Sequence, residues 1–192
     1  MGILFIGLAL VLLDLPILIA GGRTLDLTPD MVGYILTIFG LRQIGRYSSK
    51  FAISYKLCCF ATIASGAVFG VKLIVGSGGM GMTFVLIGIA EMILQVALMV
   101  LIACGFKEME KEYAIALKSK WLILVTIFAA LGIVMRNASS FVPVLESLGI
   151  YAIDISSFAY LALFYFAWEN FKVWKLKEEA EETEEDTENA QE

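Results

Sequence analysis

Residues 82–104 read MTFVLIGIAEMILQVALMVLIAC, an apolar run whose only charge is Glu91 and whose only amide is Gln95. A helix that crosses a bilayer needs about 20 mostly apolar residues. Inside hydrocarbon each backbone N–H and C=O must find a partner within the chain, so such a run is expected as a spanning helix. Working outward, four other stretches satisfy the same requirement directly or nearly so: 2–20, 57–75, 121–135 with its flanks, and 148–168. The whole chain of 192 residues is 59% apolar and 17% charged, with a mean hydropathy of +0.84. A water-soluble domain would have no surface on which to place that much hydrocarbon. The expected fold is all-α, a polytopic transmembrane helix bundle occupying 1–177, followed by a disordered acidic tail over 178–192.

Met31–Leu41 is a sixth apolar segment, only about half a span long. Its start is helix-like: Thr28 can cap, Pro29 suits the first helical position, and Asp30 favours the positive end of the helix dipole. From Pro29 to Tyr47, at about 1.5 Å per residue, is roughly 28 Å, which crosses if Arg42 and Arg46 snorkel to the headgroups. Six spans are therefore expected. The alternative is five spans with this segment re-entrant or interfacial, which would place the N-terminus outside.

Charge fixes the sidedness. Residues 178–192 hold nine acids and no base, so the net charge of −5 belongs to the tail and the membrane body is mildly basic. An acidic pI of 4.9 thus carries no message about nucleic acid, and no nucleic-acid partner is expected. With the N-terminus inside, Arg42, Arg46, Lys50, Lys56, Lys107, Lys111, Lys118, Lys120, Lys172, Lys175 and Lys177 fall on one side, eleven of the fourteen bases. Only Arg23, Lys72 and Arg136 fall on the other. That asymmetry, with Trp121, Trp168 and Trp174 at the same boundary, marks the cytoplasmic face and puts the C-terminus there.

Several chemistries drop out. The chain has no histidine, which removes phosphohistidine chemistry, Ser-His and Cys-His nucleophile pairs, and imidazole metal sites. No enzyme, cofactor or metal is expected. Cys58, Cys59 and Cys104 lie toward the reducing side, so no disulfide is expected and they read as small apolar filler. The N-terminus lacks a basic leader region, and Asp14 and Pro16 interrupt its apolar run, so it reads as an uncleaved first helix. The run Gly76-Ser77-Gly78-Gly79-Met80-Gly81 has no Lys-Ser ending and no strand before it, and reads as a tight turn.

The polar anomalies are Asp14, Glu91 and Asp154, acids within apolar spans. Each costs on the order of 3 kcal/mol at bilayer depth even on a lenient scale, so each must be protonated, paired or wetted. Gln95 lies four residues after Glu91, on the same helical face. Asp14, Glu91, Gln95 and Asp154 together make a candidate intramembrane polar site, a pocket or a proton and cation pathway. The alternative is interhelical glue, with a protonated Glu91 bonded to a neighbouring carbonyl and Asp154 solvated near the headgroups.

Small residues mark close approaches. Gly66 and Gly70, extended by Thr62, thin one face of the third helix, and Gly33, Thr37 and Gly40 thin one side of the second. On the inner side Phe106, Met109, Tyr113 and Leu117 recur at helical spacing among charges, which suits a short surface helix or the extension of a spanning one.

The segment Asp26-Leu27-Thr28-Pro29-Asp30-Met31-Val32-Gly33-Tyr34, followed by Gly40-Leu41 and Ser48-Ser49-Lys50-Phe51, resembles a pattern in small multi-pass membrane proteins of Gram-positive bacteria. In those proteins a Pro-Asp-x-x-Gly-Tyr element, here Pro29, Asp30, Gly33 and Tyr34, opens an early helix. The resemblance covers about 25 residues and implies a bacterial plasma membrane; it brings no activity with it. Size and span number also resemble the substrate-binding subunits of energy-coupling-factor vitamin transporters, a likeness at the level of fold alone. The first helix departs from their Ala-x-x-x-Ala pair, with Leu12, Leu13 and Asp14 where small residues would be wanted near Ala9. Two functions remain open. One is a small-solute or cation carrier, or a transporter subunit, that uses the buried acids for a ligand of unknown identity. The other is a regulatory or scaffolding protein that binds a cytoplasmic or membrane partner through the inner loop and the tail.

Overall fold

The computed structural model describes the chain apart from residues 1, 14–15, 20–22, 27–29, 76–80, 139–141 and 190–192; within 14–29, 71–85, 179 and 181–192 it describes no side chains. Six α-helices follow one another: α1 (Gly2–Leu12), α2 (Asp30–Ile44), α3 (Ser49–Val75), α4 (Gly81–Glu112), α5 (Ser119–Asn137) and α6 (Val144–Asn189). Between α1 and α2 stands one antiparallel hairpin, β1 (Pro16–Ile19) with β2 (Arg23–Asp26), and a 3-10 turn, Gly45–Tyr47, joins α2 to α3. The helical class is as expected.

Six spans are not confirmed. Among the described residues four helices are long and apolar enough to cross a membrane: Ser49–Gly70, Leu86–Glu112, Ser119–Asn137 and Val144–Glu178. Their outward faces carry apolar side chains, among them Phe60, Ile63, Leu86, Ile93, Phe128 and Phe158. That surface fits hydrocarbon, not water. The two remaining helices, with 11 and 15 residues, reach only about 16 and 22 Å. The first apolar stretch, expected as one helix over 2–20, stops at Leu12. Pro16 is the cause: it has no N–H for the Leu12 carbonyl, and its ring clashes with the carbonyl four residues back, so the chain leaves the helix and enters β1.

The helices pack in chain order, and α1 returns to α6, closing a ring. The tightest seam is between α1 and α2, which run antiparallel. A Cβ built on Gly7 would lie 2.5 Å from Thr37 N and 2.9 Å from Gly33 O; one on Gly33 would lie 2.7 Å from Val11 Cγ2, and one on Gly40 would collide with Leu4 Cβ. Backbone therefore meets backbone there, and the small face expected on α2 is a helix-packing face. On α3, by contrast, Gly66 meets only the Met31 sulfur at 3.1 Å, and Gly70 opens onto space. A second close approach, not anticipated, joins α5 to α6, where a Cβ on Gly149 would lie 2.5 Å from Arg136 N and one on Gly132 would lie 3.0 Å from Gly149 O.

The antiparallel α1–α2 pair brings Gly2 beside Arg46, Lys172 and Lys175 in one cleft. The beginning of α1, the end of α2 and the middle of α6 thus share one end of the bundle. The five-span alternative, with the N-terminus at the opposite end, does not describe this arrangement. That basic end is closely tied. Of the apolar stripe of the inner loop, Phe106 and Met109 lie on α4, which ends at Glu112, and Leu117 lies in the connection to α5; all three are buried in the core. Glu108 accepts from Ser48 Oγ at 2.6 Å and pairs with Lys50 at 3.7 Å, fastening α4 to the start of α3. Glu110 accepts from Leu117 N at 2.8 Å, from Ser119 N at 3.2 Å and from Ser119 Oγ. The carboxylate of one helix so caps the next, whose own N-cap, Lys118, makes no side-chain cap. Tyr47 packs edge-on against Phe171 with centroids 5.0 Å apart, and Tyr113 lies 5.0 Å from Trp174.

Most of the acidic tail belongs to α6, which continues to Asn189, whereas the sequence reading leaves 178–192 without structure. Glu and Ala are good helix formers, and α6 supplies the nucleus that an isolated segment would lack.

Candidate functional site

The premature end of α1 creates the polar site. Among the described residues the last bond of this helix runs from Leu13 N to Ala9 O at 2.9 Å. The final turn of any helix leaves its carbonyls without intrahelical donors. Gln95 answers one of them: its Nε2 donates to Val11 O at 2.9 Å, from α4 across the core. Gln95 is therefore a helix cap supplied by another helix, and its amide is used in holding α1.

Tyr34 stands on α2 one turn in from Asp30. It follows Gly33, on which α1 rests, and is 1% exposed. Its hydroxyl has no hydrogen-bond partner, and it is the one buried side-chain polar atom so placed among the described residues. Thr37, next along the same helix face, spends its hydroxyl on Gly33 O at 2.8 Å. Among the described residues, Asp30, Cys58 and Glu91 are titratable groups within electrostatic range of Tyr34 Oη. Asp30 and Glu91 both take part in interactions, and Glu91 is half-buried, one helical turn before Gln95. Cys58 is buried, Cys59 and Cys104 are half-buried, and all three are free thiols.

The structure thus redistributes the four candidates. Gln95 caps the end of α1, and Glu91 lies one helical turn before it on α4. Asp154 is exposed on α6 and joins no described cluster. Asp14 lies outside the described residues, as does Pro29. Of the helix-start motif, Asp30 begins α2, Gly33 receives α1, and Tyr34 becomes the buried hydroxyl. Tyr34 as a member of the polar site and not only of the helix start, the Gly7 contact with α2, and the capping acid Glu110 were not anticipated. A glycine at position 7 facing a Gly-x-x-x-Thr face on the next helix is the signal that could have found the α1–α2 contact.

Chemically, a hydroxyl, a carboxyl group and the carbonyl end of a broken helix converge in an apolar core. A phenol both donates and accepts, a carboxyl group titrates, and a helix C-terminus presents partial negative charge. Such a set suits a proton or a small cation, and carriers build their sites on broken helices in this way. No group of three His, Cys, Asp or Glu side chains placed to hold a metal ion occurs among the described residues. Comparison of the chain with protein-family models, with curated proteins and with solved structures finds no match.

Proposed function

We propose that the chain is an integral membrane carrier, or a carrier subunit, for a proton or small cation, with Glu91 as the titrating group and Tyr34 as its hydrogen-bonding partner in the occupied state. The observation that carries this reading is the Tyr34 hydroxyl. A buried polar group without a partner costs about 1–3 kcal/mol, and replacing the tyrosine by phenylalanine would remove that cost. A ligand that pairs with the hydroxyl gives it a purpose. The membrane is read as a bacterial plasma membrane, with both ends of the chain cytoplasmic. In this reading α1 and α2 enter as a hairpin from the basic side, and α3 to α6 cross.

The scaffolding reading is weaker because Phe106, Met109 and Leu117, the apolar stripe it would offer a cytoplasmic partner, are buried within the chain. Flux into proteoliposomes tests the proposal, with sodium, potassium and protons as the probes. Wild-type protein should carry one of these above the level of empty vesicles, and Glu91→Gln, which keeps volume and hydrogen-bonding capacity, should abolish that flux in a folded protein. Equal flux in wild type and Glu91→Gln would refute the role of Glu91.

A further inference from the structure

We infer that the cleft between the start of α1, the end of α2 and the middle of α6 is a binding site for the phosphate of an anionic phospholipid. The cleft has a volume of about 450 Å³, within the range of small-molecule sites, and its lining includes Gly2, Gln43, Arg46, Trp168, Lys172 and Lys175. Arg46, on the 3-10 turn that follows α2, and Lys172 and Lys175, on α6, therefore line one opening, and Arg46 and Lys175 take part in other interactions as well.

Arg46 is held in place by its neighbour. Its Nη2 donates to Tyr47 Oη at 2.5 Å, and its guanidinium carbon stands 4.7 Å over the Tyr47 ring. Tyr47 is itself fixed against Phe171 and Trp174, so one of the three charges is presented by a packed aromatic cluster instead of a freely moving chain. Arginine in a fixed orientation offers a planar fork that matches phosphate oxygens, and lysines add compact charge. Gln43 contributes an amide able to bond glycerol or phosphate oxygens.

The source of the phosphate is argued from what adjoins the charges. Trp168 lies at the cleft wall, and tryptophan belongs at headgroup level. Leading away from Gly2 along α1, Ile3 and Ile6 are exposed, and on α6 so is Tyr165, whose ring packs 6.0 Å from Phe5 across the α1–α6 seam. A headgroup in the cleft therefore has an apolar track beside it for acyl chains, which a free phosphate ion would leave unused. Basic pockets between helices on the cytoplasmic side bind anionic headgroups by this combination.

Native mass spectrometry of the full chain, reconstituted with phosphatidylglycerol or phosphatidylcholine, tests the assignment independently of any flux. Wild type should retain phosphatidylglycerol in preference to phosphatidylcholine, and millimolar inorganic phosphate should not displace it. The pair Lys172→Gln with Lys175→Gln, which leaves the Arg46–Tyr47 contact intact, should weaken retention by about tenfold or more. Adding Arg46→Gln should weaken it further. Lys107→Gln with Lys111→Gln and Lys120→Gln removes three exposed charges from the same end but outside the cleft, and should leave retention unchanged. The inference is overturned if the cleft variants retain the lipid as wild type does, or if the distant charges matter as much. Equal retention of phosphatidylcholine, or displacement by inorganic phosphate, would overturn it too.

Discussion

Gln95 Nε2 and Val11 O are joined by a 2.9 Å hydrogen bond that links residues 84 apart in the chain and closes the open end of α1. The amide satisfies a carbonyl in the last turn of α1, where a helix leaves its C=O groups without intrahelical donors. Gln95→Leu should leave that carbonyl unpaired in an apolar core and destabilise the protein by about 1–3 kcal/mol. Thermal unfolding in detergent reads this directly, and an unchanged melting temperature would mean the bond is dispensable.

The α1–α2 seam depends on missing side chains. Gly40→Ala places a methyl group on Leu4, where backbone as well as side chain stands in the way, and overpacking of this kind costs about 1–3 kcal/mol. Gly70→Ala meets nothing within 4 Å in the interior of α3 and should stabilise by about 0.4–1 kcal/mol. Opposite shifts in melting temperature for the same chemical change are the expected outcome; equal shifts would contradict the packing described.

Two acids at the basic end should differ in weight. Glu110→Ala removes the acceptor for two backbone N–H groups and for the hydroxyl of the fully buried Ser119, and should cost about 1–2 kcal/mol, as loss of a helix cap does. Glu108→Ala breaks a partly exposed link to Ser48 and Lys50 and should cost less than about 1 kcal/mol. Chemical or thermal unfolding of the two variants checks the order.

Gly2 and Lys172 line the same cleft, so the two ends of the chain should report from the same side of the membrane. Reporter fusions before Met1 and after Glu192 should both be cytoplasmic, given the eleven bases at that end. An extracellular N-terminal reporter would contradict the antiparallel α1–α2 pair.

Much of this architecture is legible in the residues. Apolar length alone locates α3 to α6. The helical spacing of Phe106, Met109, Tyr113 and Leu117 suits a surface helix equally well, because periodicity identifies an apolar face without saying what covers it. Pro16 announces the end of α1, since a proline cannot continue a helix. Gly132 and Gly149 escaped because they are single glycines on different helices, and no i, i+4 pattern ties them. The three intramembrane acids look alike in sequence because each lies within an apolar run, and a polar residue on the same face, as Gln95 is for Glu91, does not say which neighbour that face meets. Only packing separates Glu91, one turn from the cap of α1, from Asp154, exposed on α6. Tyr34 is hidden for a related reason: a tyrosine near a helix start is ordinary until it is seen to be buried with its hydroxyl unpartnered.

The most direct test of the central claim is to measure melting temperature and cation or proton flux together for Tyr34→Phe. The substitution deletes one oxygen from a core with no partner for it, so stability should rise, by up to about 1–3 kcal/mol. If that hydroxyl exists to meet a ligand beside Glu91, flux should fall while stability rises, and Tyr34→Phe combined with Glu91→Gln should lose no more flux than Glu91→Gln alone. Unchanged flux in a Tyr34→Phe protein that is more stable, or a loss of stability on removing the hydroxyl, would contradict the site.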